Sequence, residues 1–137
     1  MQGLLADRQQ FSKFSALIKQ AGLTGRWARS QNQTFFLPTN QALSQEEGVF
    51  EALLLSTSRR QLRSILDYSS VPGRISQKQL KAGAELPSLP GERLRVSRYK
   101  GTIWINDARL ISAPLRLGSN TVYFIDMLLI APGQEPS

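Results

Sequence analysis

Arg93, Arg95, Arg98 and Lys100 crowd one short stretch of the chain. On an extended strand Arg93 and Arg95 share a face about 7 Å apart, a spacing that suits successive anionic groups of a polysaccharide. The same charges would equally guard an edge strand against sheet-to-sheet aggregation. A second set, Arg59, Arg60 and Arg63, opens a predicted helix. Arg59, Arg63 and Asp67 fall at i, i+4 spacing, so an Arg63–Asp67 pair is expected. Arg59 and Arg60 stand at the positive end of the helix dipole, a placement that costs about 0.3–1 kcal/mol each when exposed. That cost points to an anionic ligand or partner, with a solvated basic face as the plainer explanation. Tyr68 is read either as a site residue or as a packed ring with a hydrogen-bonded hydroxyl. Asn32-Gln33-Thr34 is a glycosylation sequon in a predicted turn, with Asn32 as the acceptor. Trp104, between Ile103 and Ile105, reads as core rather than as a sugar-stacking platform.

The chain has no His and no Cys. Serine-histidine catalysis, thiolate nucleophiles, disulfides and zinc-thiolate sites are therefore excluded. A carboxylate pair or a Ser-Lys dyad remains open, but Asp107 and Asp126 are far apart in sequence and nothing converges them on a cleft. They read as a turn former and a hydrogen-bonded strand residue. No catalytic residue, cofactor or metal is expected. The net charge of +7 and a pI near 10.4 favour polyanionic partners, or simply solubility. Nucleic acid is the weaker partner class, because no helix-turn-helix, base-stacking platform or RNP-like motif is present. No apolar run approaches the ~20 residues of a membrane span, and no signal peptide is visible.

The 137 residues, 41% of them hydrophobic, suit one domain with a true core. Asp7 is expected to cap a helix over about 8–21, with Phe11, Phe14, Ile18 and Ala21 as its apolar stripe and Gly22 as its stop. Leu23–Arg29 alternates weakly and is expected as a short strand. Thr34–Leu37 is a strand ended by Pro38, and Thr39 or Asn40 caps a short helix. Further helices cover about 48–55 and the stretch from Ser58, which Gln61 completes as a capping box, with Leu62, Ile65 and Leu66 inward. Ser76–Gln79 repeats the capping pattern. After Gly83 the period becomes two: Leu94 and Val96 alternate with the arginines. Lys100-Gly101, Asn106-Asp107 and Gly118-Ser-Asn120 are turns between strands. Thr121–Ile130 is apolar on both faces and so should be a central strand covered by helices. Helices in the first half and strands in the second give an α+β fold.

The motifs together resemble the fasciclin (FAS1) domain family. "TFFLPTNQAL" is similar to its first signature, a strand ending in Pro-Thr-Asn before a helix. "FSALIKQAGL" looks like its first helix, "LRSILDYSSVPGRI" its Tyr-His segment, "INDARL" its Ile-Asn-Asp-Ala turn, and "GSNTVYFIDMLLIAP" its second signature. The resemblance implies a β-wedge of antiparallel and mixed strands with helices packed around it, over residues 1–137 (core about 8–132, polar tail 133–137). It further implies an extracellular, periplasmic or cell-surface adhesion module, generally not an enzyme and often in tandem; with the arginine clusters, the expected partner is a protein or an acidic glycan. A structural spacer within such an array is the alternative. Two positions depart from the family: Ser69 stands where the His belongs, and Leu115-Arg116 replaces an Asp-Ile element, which leaves integrin recognition of that type unsupported.

Overall fold

Phe35, Phe36 and Leu37 are all buried, although successive residues of a strand point to opposite faces. Their strand must therefore be covered on both sides, and the computed structural model, which describes residues 9–131, shows how. The strands are β1 (Gln33–Pro38), β2 (Ser70–Pro72), β3 (Glu85–Pro87), β4 (Arg93–Tyr99), β5 (Thr102–Ile105), β6 (Ala108–Arg109), β7 (Leu115–Leu117) and β8 (Asn120–Ile125). The helices are α1 (Ser12–Gln20), α2 (Thr24–Ala28), α3 (Asn40–Gln45), α4 (Glu47–Leu54) and α5 (Arg59–Asp67), with 3-10 turns at Gln9–Phe11 and Gln77–Gln79.

The first sheet has the order β2-β1-β8-β7, and the second β3-β4-β5-β6. β1 and β8 run parallel, Phe35 beside Val122 and Phe36 beside Tyr123, while every other named pair is antiparallel. One core lies between the helices and the first sheet, built from Phe11, Phe14, Ile18, Trp27, Phe35, Leu62, Leu66 and Val122. A second core lies between the two sheets, built from Phe36, Tyr68, Leu94, Val96, Ile105, Tyr123 and Ile125. The mixed first sheet is thus a middle layer, which is why β1 and β8 are apolar on both faces. Trp27 and Phe35 meet at 4.6 Å on the helical side, and Phe36 stacks on Tyr123 at 5.3 Å on the other. Such ring pairs contribute about 0.5–1.5 kcal/mol each beyond their buried area.

The Pro-Thr-Asn junction joins two helices to the sheet. Thr39 Oγ1 accepts the Ala42 N–H at 3.2 Å and so caps α3. Asn40 turns the other way: its Oδ1 accepts the Lys13 N–H at 2.8 Å, and its Nδ2 donates to Ser12 Oγ at 2.7 Å. Phe11, at the N-cap position of α1, supplies no side-chain cap of its own, so Asn40 does that work from across the fold.

The stretch expected as a strand at 23–29 is helix α2 instead. Leu23 and Trp27 are both buried, four residues apart, a helical spacing that places both on the core face. The last strand ends at Ile125, not Ile130. Asp126 Oδ1 accepts the Arg109 N–H at 2.7 Å, and Met127 beyond it is exposed. Asp7, the expected first cap, and the tail from residue 133 lie outside the described residues.

Candidate functional site

β4 alternates as its sequence demands: Leu94 and Val96 are buried, while Arg93, Arg95, Ser97 and Tyr99 face out. Arg93 reaches diagonally to within 3.9 Å of Glu85, the residue paired with Arg95, and with both side chains largely in solvent the contact is weak. The Arg95 guanidinium has no ion-pair or hydrogen-bond partner among the described residues. Its backbone is held firmly, however. Asn106 Oδ1 accepts the Arg95 N–H at 2.9 Å, and the Asn106 N–H donates to the Arg95 carbonyl at 2.8 Å.

Tyr68 supports this strand from inside the core. Its hydroxyl donates to the Arg93 carbonyl at 2.9 Å and receives the Asn106 Nδ2 at 2.9 Å. The ring is only 1% exposed, so both roles of the hydroxyl are spent on the framework beneath the two arginines. Burial raises the Tyr68 pKa, the Asn106 hydrogen bond opposes that shift, and the charge of Glu92 adds to it. Ser69, at the position where the family's Tyr-His segment has its histidine, is fully buried, and its Oγ has no partner.

Arg98 and Lys100 serve the fold as well. Arg98 Nε donates to the Leu80 carbonyl at 2.6 Å and its Nη2 to the Gln77 carbonyl at 2.9 Å, closing the 3-10 turn at Gln77–Gln79. Lys100 and Gly101 have φ of 50° and 81°, as a two-residue hairpin between β4 and β5 requires. The Lys100 ammonium lies 5.3 Å from the centre of the Tyr99 ring.

The second arginine set sits on the helical layer, on the other side of the first sheet, so the two clusters do not form one surface. Arg63 does not pair with Asp67. Its Nε donates to the Ala21 carbonyl at 2.7 Å, at the electronegative end of α1. Gly22 makes room for this: a Cβ there would stand 3.0 Å from Arg63 Nη2 and 3.5 Å from Arg59 Nη1. Arg59 lies beside Arg63 over Gly22 and makes no hydrogen bond or ion pair among the described residues. Asp67 is buried at the end of α5 and takes Arg26 of α2 instead. Arg60 is exposed and without a partner among the described residues.

Trp104 is not in the core. Ile103 and Ile105 point inward, so Trp104 faces out, partly exposed, opposite Ser97 and Arg109. Asp126 binds Arg109, with Oδ2 at 3.6 Å from Nε, and does not meet Asp107, which is exposed in its turn. Glu46 carries no sequence signal but stands out in the structure. It lines a cavity of about 200 Å³ with Asp107 and Met127, and its Oε1 is buried without a partner. Burial, then the charge of Asp126, raises its pKa. Among the described residues no group of three or more His, Cys, Asp or Glu is placed to hold a metal ion. Asn32 is exposed at φ 55°, but Thr34 of its sequon is buried, donating to the Gly73 carbonyl and accepting the Ile75 N–H.

A fasciclin domain family model matches residues 9–131. The chain belongs to the fasciclin domain family. It is 34% identical to protein sll1483 of Synechocystis over 93% of this chain and 71% of that protein. It is 29% identical to the transforming growth factor-beta-induced protein ig-h3 of the pig, over 97% of this chain and 19% of that protein. Cell surface glycolipoprotein MPB83 of Mycobacterium bovis is 30% identical over 74% of this chain and 44% of its own length. The chain therefore spans most of the first relative and less than half of the other two. A solved FAS1 domain pair from the insect cell adhesion molecule Fasciclin I superimposes with a TM-score of 0.82 at 16% identity, over 98% of this chain and 52% of that one, which shows the shared fold. No helix among the described residues is long and apolar enough to cross a membrane.

Proposed function

We propose that this fasciclin domain is a non-catalytic adhesion module of the cell surface or extracellular space. It engages a protein or acidic glycan partner through the arginine-bearing outer face of its second sheet. The observation that carries the reading is the pair Arg93 and Arg95, aimed outward from a strand whose backbone Tyr68 and Asn106 hold in place. The guanidinium of Arg95 is unspent, and its preorganised fork suits a carboxylate or sulfate. The net charge of +7 supplies long-range attraction that complements such a partner. The names of relatives support the setting: one is a cell surface glycolipoprotein, and the structural neighbour comes from a cell adhesion molecule.

We leave Arg98 and Arg63 out of the proposed binding face because their guanidinium groups hydrogen-bond to carbonyls that end a turn and a helix, and Arg59 because it stands beside Arg63 on the helical layer. A second reading is a spacer within a tandem array. It is favoured by the 19% share of the pig protein and by the two-domain neighbour. Titrating the purified domain with a sulfated or uronic-acid polysaccharide across a salt series separates the two. An adhesion face gives saturable, steeply salt-dependent binding that Arg93→Ala/Arg95→Ala removes. Absence of any binding would sink the acidic-glycan partner and leave a protein-binding face or the spacer.

A further inference from the structure

The outer face of the second sheet carries a feature that charge alone does not explain. Ser97 and Trp104 are directly opposite on β4 and β5, and Arg109 is opposite Trp104 on β6. On the other side of β4, Gly83 and Ala84 both bond to Val96, and β3 begins only at Glu85, so no side chain of a named strand is paired with Ser97 there. The row thus runs serine, tryptophan, arginine, with its smallest member beside its largest. The Ser97 side chain is far shorter than the indole opposite it, and that difference in height makes a depression beside Trp104. Arg95 and Tyr99 stand along β4 at the two ends of that depression, and Tyr99 is 67% exposed. Asp126 holds Arg109 on the other flank. Among the described residues Trp104 has no ring contact and no acceptor for its Nε1–H. A partly exposed ring with an unspent donor thus shares one sheet face with an unspent guanidinium, which offers an apolar contact and a charge to the same ligand.

We infer that this depression is a subsite for one sugar ring of a uronic-acid polysaccharide. The C–H face of the pyranose lies against the indole of Trp104, and its carboxylate is bound by the fork of Arg95. The inference rests on the proposed basic-face function and adds to it a ring-shaped requirement. Sulfate charge alone meets Arg93 and Arg95. A uronic acid also presents an apolar ring face to the indole and hydroxyl oxygens to Nε1–H, at a point next to its charge. The neighbouring Arg93, two residues along the strand, takes the carboxylate of an adjacent sugar.

The chain carries an internal control. Its other tryptophan, Trp27, is buried, so fluorescence quenching by acrylamide reports on Trp104. The probes are a hexamer of galacturonic acid, its methyl-esterified neutral form and heparin. The galacturonate hexamer is expected to protect Trp104 from quenching, and the neutral form to bind at least tenfold more weakly. Trp104→Ala should weaken hexamer binding tenfold or more, while Trp104→Phe stays within about threefold of wild type. Ser97→Leu, which fills the depression and leaves the indole in place, should match the alanine variant, with unchanged Trp27 fluorescence as the check on folding. If heparin and hexamer bind alike, and neither Trp104→Ala nor Ser97→Leu affects them while Arg93→Ala/Arg95→Ala abolishes both, the stacking subsite is overturned and the basic face stands. If neither polyanion binds wild type, the subsite and the acidic-glycan partner both fall, and only a protein partner or the spacer is left.

Discussion

Replacing Asn40 with alanine removes a cap from a helix twenty-seven residues away in sequence. The Asn40 side chain accepts the Lys13 N–H and donates to Ser12 Oγ, and α1 has no side-chain cap of its own. Loss of an N-cap costs about 1 kcal/mol, with a range of about 0.5–2. The second hydrogen bond adds about 0.5–1.5 kcal/mol. Alanine suits the first turn of α3 better than asparagine, which returns a few tenths of a kcal/mol. The expected destabilisation of Asn40→Ala is therefore about 0.7–3 kcal/mol, with a fall of roughly 3–4 °C in Tm per kcal/mol for a chain of this length. Thr39→Ala removes one local cap and should cost only about 1 kcal/mol. Urea denaturation with an unchanged m-value is the assay. Asn40→Asp keeps the acceptor and can receive a hydrogen bond from Ser12, so it should recover most of the loss. An Asn40→Ala cost under about 0.5 kcal/mol, or an aspartate variant as unstable as the alanine one, would refute the cross-fold cap.

Three further outcomes follow from the same structure. Tyr68→Phe leaves the Asn106 amide and the Arg93 carbonyl without a partner, so it should cost about 1–3 kcal/mol in urea denaturation; a loss too small to measure would show that the clamp under β4 is idle. Burial raises the pKa of Glu46 above its ordinary 4.5, so the folded state disfavours its ionised form. Its penalty is absent below the ordinary value and sets in as pH rises through the raised one, so Glu46→Gln should stabilise the protein near pH 7 and be nearly neutral near pH 4. Parallel stability curves against pH for the two proteins would contradict that sign. Gly22→Ala combines φ of 72° with a Cβ 3.0 Å from Arg63 Nη2 and should lower stability by about 1–2 kcal/mol in a thermal melt, with no loss indicating that Arg63 swings clear.

The parts of the fold legible in sequence are those with a long, unambiguous period. The stripe Phe11, Phe14, Ile18 and Ala21 is buried as its spacing demands, and so are Leu62, Ile65 and Leu66. The two-residue period of β4 placed Arg93 and Arg95 outward. Short stretches failed: 23–29 offers only two anchoring residues, and Leu23 with Trp27 is a helical pair easily mistaken for weak alternation. Trp104 was misplaced by its residue type, although the flanking isoleucines already fixed it on the opposite face. Side-chain pairing was the least legible. Arg63 has Asp67 one turn away on its own helix, but a distant carbonyl at Ala21 and a distant arginine at position 26 take the two partners. Asn40 looked like a cap for the helix it begins, and the helix it caps lies across the fold. Glu46 has no local pattern at all, because its environment is assembled by the segment after β8.

The pairing of β1 with β8 constrains how the chain can acquire its structure during synthesis. Gln33 is bonded to Asn120, 87 residues further on, and the middle layer is closed only when that last strand arrives. Until then Phe35, Phe36 and Leu37 have β2 on one side and nothing on the other. Sheets that join distant segments in parallel form slowly, since the entropy of closing a long loop is spent before any contact rewards it. A nascent chain halted before residue 120 therefore presents a sticky, half-templated edge, and it depends on being held apart from its neighbours until translation delivers β8.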